Sequence, residues 1–181
     1  MSKLHILRDV NGIKGLCVIE PKVFLDNRGY FFEAYNPKEF YEEGLNLHFV
    51  QENEAFSNKG VLRGFHINKN HPQGKLVRVV SGEIYDVVID LREDSETYKM
   101  SYCINLSGAN KRQLYIPEGF AHAYLALEDS VICFKVTTNY ISGDEIGFAW
   151  NSRLFNINWP IKNPTLNVSD ERSPDYSLIF S

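Results

Sequence analysis

What the chain has little of narrows it first. Its 181 residues hold only three cysteines, Cys17, Cys103 and Cys133, an odd number, widely separated and each set among apolar neighbours. That pattern excludes a disulfide-stapled scaffold and fits small buried hydrophobes in a reducing cytoplasm. No apolar run approaches the roughly 20 residues of a membrane span. The opening "MSKLHILRDVNGIKG" lacks the apolar core and small-residue cleavage site of a secretory leader. Positive charge is also in short supply. With 19 Lys and Arg against 23 Asp and Glu, the net charge of -4 offers no field to nucleic acid or an anionic membrane. An anionic small molecule would have to be held by local Arg and Lys.

What is present reads as one globular domain spanning residues 1–181, long enough for a sizeable core and too short for two. Short runs rich in β-branched and aromatic residues dominate: "LCVIE", "YFFEAY", "HFVQENEAF", "KLVRVV", "EIYDVVIDL", "SYCINL", "RQLYIP", "AHAYLAL" and "SVICFKVTTNY". Their spacing predicts an all-β antiparallel sandwich or barrel. "VVSGEIYD" predicts a hairpin turning at Ser81-Gly82. The single helix signal is "NPKEFYEEG", with Asn36 as cap, Pro37 in the first turn and Gly44 at the exit. Beyond about residue 160 the strand pattern fades, and Leu166, Val168, Tyr176 and Ile179 predict a tail docked on the domain.

One stretch poses a chemical question. "VLRGFHINKNHPQGKLVRV", residues 61–79, sets His66 and Lys75 close together in otherwise extended structure. Further on, "YIPEGFAHAYLAL" contains a P-x-G-x-x-H run through Pro117, Gly119 and His122, which resembles the second motif of cupin barrels. "GFHINKNHPQGKLVRVVSG" occupies the place of the first cupin motif but departs from its metal-binding form. Asn68 replaces the second histidine, and Lys75 stands where a carboxylate is expected. An ammonium repels a divalent cation, and a metal site ordinarily takes three or more protein ligands. His71, in a Pro- and Asn-rich loop, is a poor substitute. The expectation is no metal and no cofactor.

Longer runs carry a more specific resemblance. "PKVFLDNRGYFFEAYN", "FVQENEAFS", "GVLRGFH", "QGKLVRVVSGEIYDVVIDLR", "NLSGANKRQLYIPEGFAHAYLAL" and "WNSRLFNINWP" stand in the order found in the dTDP-4-dehydrorhamnose 3,5-epimerase family. The chain resembles that family from about residue 15 to 175. The family also includes epimerases of other nucleotide-linked 4-keto sugars, among them GDP-linked heptoses of bacterial capsules. The resemblance implies a cupin jelly-roll barrel with a short helix and a docked tail. It implies a nucleotide-diphospho-sugar substrate, and a homodimer whose nucleotide site is shared across the interface.

Roles follow from the same resemblance. A ketone at sugar carbon 4 acidifies the hydrogens on carbons 3 and 5, and a histidine suits their removal. His66 is then the base, Asp170 the carboxylate that orients it, and Lys75 the cation on the enolate oxygen. His122 lines the pocket. Arg63 and Arg28 match positions that hold the diphosphate, to which a guanidinium fork is suited. Gln51, Asn53 and Glu33 match nucleotide or sugar contacts, with Arg28 and Glu33 acting across the interface, and Tyr140 offers a stacking surface for the base.

One departure matters. The family places a proton-donating tyrosine in the strand where this chain has Phe134, and a phenyl ring has no proton to give. Water, Tyr140 or Cys133 would have to supply it, and strand alternation turns Cys133 away from the face that Phe134 occupies. Water is the preferred donor. The expected activity is therefore inversion at carbon 3, with a full 3,5-epimerase as the alternative. A non-catalytic nucleotide-sugar-binding cupin would have no use for His66, Lys75 and Asp170 together, and a ketoisomerase fits the epimerase motifs less well.

Overall fold

The computed structural model describes residues 4–179. In chain order the strands begin with β1 (Leu4–Leu7), β2 (Cys17–Pro21), β3 (Phe24–Asp26) and β4 (Gly29–Phe31). Helix α1 (Pro37–Glu42) follows, then β5 (Gln51–Ser57), β6 (Leu62–Asn68), β7 (Lys75–Ser81), β8 (Glu83–Asp90) and β9 (Ser101–Ser107). The remainder is β10 (Gln113–Ile116), β11 (Phe120–Ala126), β12 (Ser130–Val136), β13 (Glu145–Gly147) and helix α2 (Val168–Glu171).

Two antiparallel sheets face each other, in the orders β1-β2-β10-β7-β12-β5 and β13-β6-β11-β8-β9, with β3 and β4 forming a separate hairpin. From β5 onward most successive strands change sheet, which is the jelly-roll winding. This corrects the expected hairpin at "VVSGEIYD". Ser81 already pairs with Val131 and Glu83 with Ser107, so neither is free to pair with the other. The chain instead crosses between sheets at Gly82, whose φ is +78°. A Cβ there would lie 2.4 Å from both Asp129 O and Ser130 Oγ of the neighbouring crossover, so only glycine fits.

Strand alternation sorts the side chains into three apolar layers. Val77, Val79, Ile84, Val88, Leu106, Leu114 and Ile132 fill the space between the sheets. The outer face of the six-stranded sheet is covered by α1, with Phe40 packed near Ile19, Leu76 and Tyr115. As the sequence implied, Asn36 caps this helix by accepting from Lys38 N, with Pro37 in its first turn.

The outer face of the five-stranded sheet is covered by the tail. Phe65, Val87, Ile89 and Ala121 meet Phe148, Phe155, Trp159 and Tyr176 there. Tyr176 is buried, with its ring centroid 4.9 Å from Phe155 and 5.2 Å from Phe148. Ile179 packs on the same cluster and Leu166 is half-buried, but Val168 is exposed on α2, so it is not one of the docking residues. Docking the tail brings α2 against β6.

Tyr176→Ala removes the ring that anchors this layer and leaves a cavity. It should lower unfolding free energy by about 3–5 kcal/mol, read from urea denaturation; a loss below about 1 kcal/mol would show that the tail adds little to the fold.

Candidate active site

At one end the space between the sheets changes from apolar to polar. A cavity of about 350 Å³ is lined there by Gln51, Asn53, Arg63, His66, Gln73, Lys75, His122, Phe134, Tyr140 and Glu145. Lys75 lies two and four residues from Val77 and Val79, and Phe134 two from Ile132, so alternation turns all of them inward. His122 lies on the same face of β11 as Phe120 and Tyr124. Gln51 and Asn53 do the same from β5, and Gln51 Nε2 donates to Asn53 Oδ1 at 2.7 Å.

Arg63 and His66 are three apart, so a regular strand would turn them to opposite faces. The pairing of β6 with β11 is irregular: His66 faces His122 and Arg63 faces Tyr124, so three residues of β11 oppose four of β6. Such a bulge re-aims side chains. Gly64 sits within it at φ +99°, and a Cβ there would lie 2.5 Å from His122 O. The irregularity thus puts both side chains into one cavity.

His66 Nε2 lies 2.6 Å from Asp170 Oδ1, and Asp170 Oδ2 accepts from Gly64 N at 3.4 Å. Asp170 is 4% exposed, held in α2 with its own N–H donating to the Asn167 side chain. With the carboxylate on Nε2, the Nε2–H tautomer is favoured and the lone pair of neutral His66 is on Nδ1. Glu145 Oε1 stands 3.6 Å from Nδ1. Gly147, paired with His66 across β13, gives the tail room: a Cβ there would lie 2.9 Å from Ser173 Oγ and 3.5 Å from His66 Cδ2.

A second histidine–carboxylate pair lies deeper. His122 Nε2 is 2.8 Å from Asp86 Oδ2, and Asp86 is fully buried with Oδ1 lacking a protein partner. Burial pulls the pKa of the Lys75 ammonium below the ordinary lysine value, while the negative charges of Glu145 and Asp86 oppose that shift. Arg63 is oriented by donating to Ser57 Oγ at 3.1 Å and Phe56 O at 2.8 Å. Tyr140 is exposed at the mouth, its backbone N–H donating to Gln51 Oε1 at 3.1 Å.

Eight of the residues singled out from the sequence therefore line one cavity, and Asp170 closes on it from behind His66. Arg28 and Glu33 lie elsewhere. Arg28 is at the tip of the β3–β4 hairpin, 85% exposed and paired to Asp26 at 2.6 Å. Glu33 lines a separate small groove with Leu4, Asn36 and Glu39. Cys133 points to the opposite side of β12 from Phe134, next to Glu52, Arg78 and Lys135, and burial raises its thiol pKa. His71 is engaged with Asp144 and does not line the cavity. Among the described residues, no three His, Cys, Asp or Glu side chains are grouped to hold a metal ion, and no helix is long and apolar enough to cross a membrane.

Gln73, Asp86 and Glu145 were not anticipated. Asp86 had a readable signal, a carboxylate at an inward position between Ile84 and Val88. Glu145 had none, because nothing local in "SGDEIGF" says which strand it will pair with.

Chemically, the cavity joins a histidine held by a buried carboxylate, a desolvated cation and a guanidinium. That set can remove a proton next to a carbonyl and hold the charge that results.

Comparison with known proteins agrees. Residues 11–177 match the dTDP-4-dehydrorhamnose 3,5-epimerase family. The enzyme of that name from Methanothermobacter thermautotrophicus is 46% identical over 151 residues, covering 83% of this chain and 82% of the relative. The crystal structure of a Legionella pneumophila dTDP-6-deoxy-D-glucose-3,5-epimerase in complex with dTDP-4-keto-L-rhamnose superposes with a TM-score of 0.91 at 37% identity, over 97% of this chain and 94% of that one. A 3'-monoepimerase from Streptomyces bikiniensis in complex with dTDP-quinovose gives 0.83 at 27% identity, over 90% and 84%. A polar cavity of this composition in a jelly roll, matched over nearly its whole length, makes the chain a member of the dTDP-4-dehydrorhamnose 3,5-epimerase family and an epimerase.

Proposed function

We propose that the protein inverts carbon 3 of a nucleoside-diphosphate-linked 4-keto sugar. The observation that carries this is Phe134, an aromatic ring without a hydroxyl, in the cavity that also contains His66 and Lys75. His66 Nδ1 takes the proton from carbon 3, the electrons of that bond form a C3=C4 double bond, and the carbonyl pair moves onto the oxygen to give an enolate. Asp170 holds the imidazolium, by the logic of a catalytic triad without its nucleophile. Lys75 stabilises the oxyanion on carbon 4. His122, kept in place by Asp86, borders the same pocket.

Inversion also needs a proton on the opposite face. A tyrosine in place of Phe134 would supply one; here solvent does so at carbon 3. At carbon 5, a proton taken by His66 and returned by it restores the starting configuration. Arg63 holds the diphosphate and Tyr140 stacks on the base, both cavity residues with side chains suited to those contacts. The names of the relatives support a dTDP sugar.

Assembly completes the reading. Phe24, Leu25, Tyr30 and Phe31 are all exposed on the β3–β4 hairpin, a concentration of apolar surface suited to covering by a second copy. In a cytoplasmic homodimer this hairpin would bring Arg28 and Glu33 to the partner's nucleotide site. Three free cysteines are compatible with a reducing compartment.

Because burial lowers the pKa of Lys75, its charge is lost as pH rises through a value below the roughly 10.4 of free lysine. The rate should therefore fall on an alkaline limb below that pH. In Lys75→Arg, slower but permanently charged, the limb should move out of the accessible range. If the limb stays where it was, it belongs to another group.

The stereochemical test uses a dTDP-linked 4-keto-6-deoxy hexose in deuterated water, followed by NMR. The product should carry deuterium at carbon 3 and be inverted only there, and Phe134→Tyr should increase inversion at carbon 5. A wild-type product inverted at both carbons would overturn the assignment.

A further inference from the structure

The family chemistry leaves one proton unaccounted for. When His66 removes the hydrogen from carbon 3 and solvent delivers another to the opposite face, the imidazolium keeps the first. It must lose that proton before the next turnover. Asp170 cannot carry it to water: it is almost wholly buried behind Nε2 and is engaged by the backbone of Gly64. Lys75 is a cation and repels it. The exit must start from Nδ1, on the cavity side.

Glu145 is positioned for this. Its Oε1 lies 3.6 Å from Nδ1, beyond a hydrogen bond in the resting site, and its side chain is 42% exposed. Charging the ring draws the two together, since a charge-assisted N–H···O contact prefers about 2.7–2.9 Å. β13 fixes the placement, because Glu145 pairs with Asn68 and Gly147 with His66 itself. His66 thus stands between a sealed carboxylate on one nitrogen and a solvent-facing carboxylate near the other.

Resting on the reaction proposed above, we infer that Glu145 is the proton exit of the base, relaying the abstracted proton from His66 Nδ1 to bulk water. The steps balance. The C3–H bond breaks and an N–H bond forms at Nδ1. That N–H bond then breaks as an O–H bond forms on Glu145, directly or through one water. The carboxylic acid releases the proton to solvent, and a different solvent proton forms the new C3–H bond on the far face. Glu145 acts through His66, taking the proton from the base rather than from the sugar.

The relay sets how often a removed proton goes back to the carbon it came from. In deuterated water, wild type should exchange its imidazolium proton quickly, so substrate recovered at partial conversion carries deuterium at carbon 3. Glu145→Gln cannot accept the proton. Substrate recovered from it should stay protonated, with the ratio of wash-in to product falling at least about tenfold. Added imidazole, a small diffusible base, should restore wash-in in Glu145→Gln in proportion to its concentration and leave wild type unaffected. Glu145→Asp, a carboxylate on a shorter arm, should lie between. A merely structural role would change turnover or stability without moving this ratio.

An unchanged ratio in Glu145→Gln, or the absence of imidazole rescue, would overturn the relay while leaving the enolate reaction standing. A wild-type product without deuterium at carbon 3 would overturn both.

Discussion

The contact between His66 Nε2 and Asp170 Oδ1 at 2.6 Å is the interaction on which the rest depends. Its partners lie 104 residues apart, one on a strand inside the five-stranded sheet and the other in a tail docked on that sheet. A buried carboxylate without a partner costs several kcal/mol, so Asp170 is tolerable only where a polar hydrogen meets it. The tail's aromatic layer, the glycine at 147 and the irregular pairing of β6 all serve to make that meeting possible. In return the carboxylate selects the tautomer that exposes a basic nitrogen to the cavity.

The barrel solves a second problem by dividing its interior. One end is filled by Val, Ile and Leu from facing sheets, giving the stability that lets the other end stay hollow and polar. Burial at that border disfavours the charge on Lys75, and Asp86 and Glu145 partly restore it. The cation is thereby poorly solvated in the resting site, so a negative charge developing beside it would gain more from it than in water. Phe134 belongs to both regions, packing on the apolar cluster while facing the cavity, and its lack of a hydroxyl is a change in chemistry at little change in shape.

The fold was legible to the extent that its signals were local. Alternation put Cys133 and Phe134 on opposite sides of their strand, as the structure has them, and the Asn36-Pro37 cap marked the helix. Pairing was not legible in the same way. "VVSGEIYD" looks like a hairpin because Ser81 and Glu83 have partners, Val131 and Ser107, that lie far away in sequence. The bulge that brings Arg63 and His66 to one side leaves no alternating trace. Asp170 stood out only through resemblance, and Glu145 not at all, since its value comes from β13 pairing with β6.

As the proposed base, His66 acts in chemistry rather than affinity. The most direct measurement compares His66→Asn with wild type for deuterium wash-in at carbon 3 of a dTDP-linked 4-keto sugar, alongside calorimetric binding of the same nucleotide sugar. Affinity should stay within a few-fold of wild type, and exchange should fall by at least about a hundredfold. Exchange that persists near the wild-type rate in His66→Asn would contradict it.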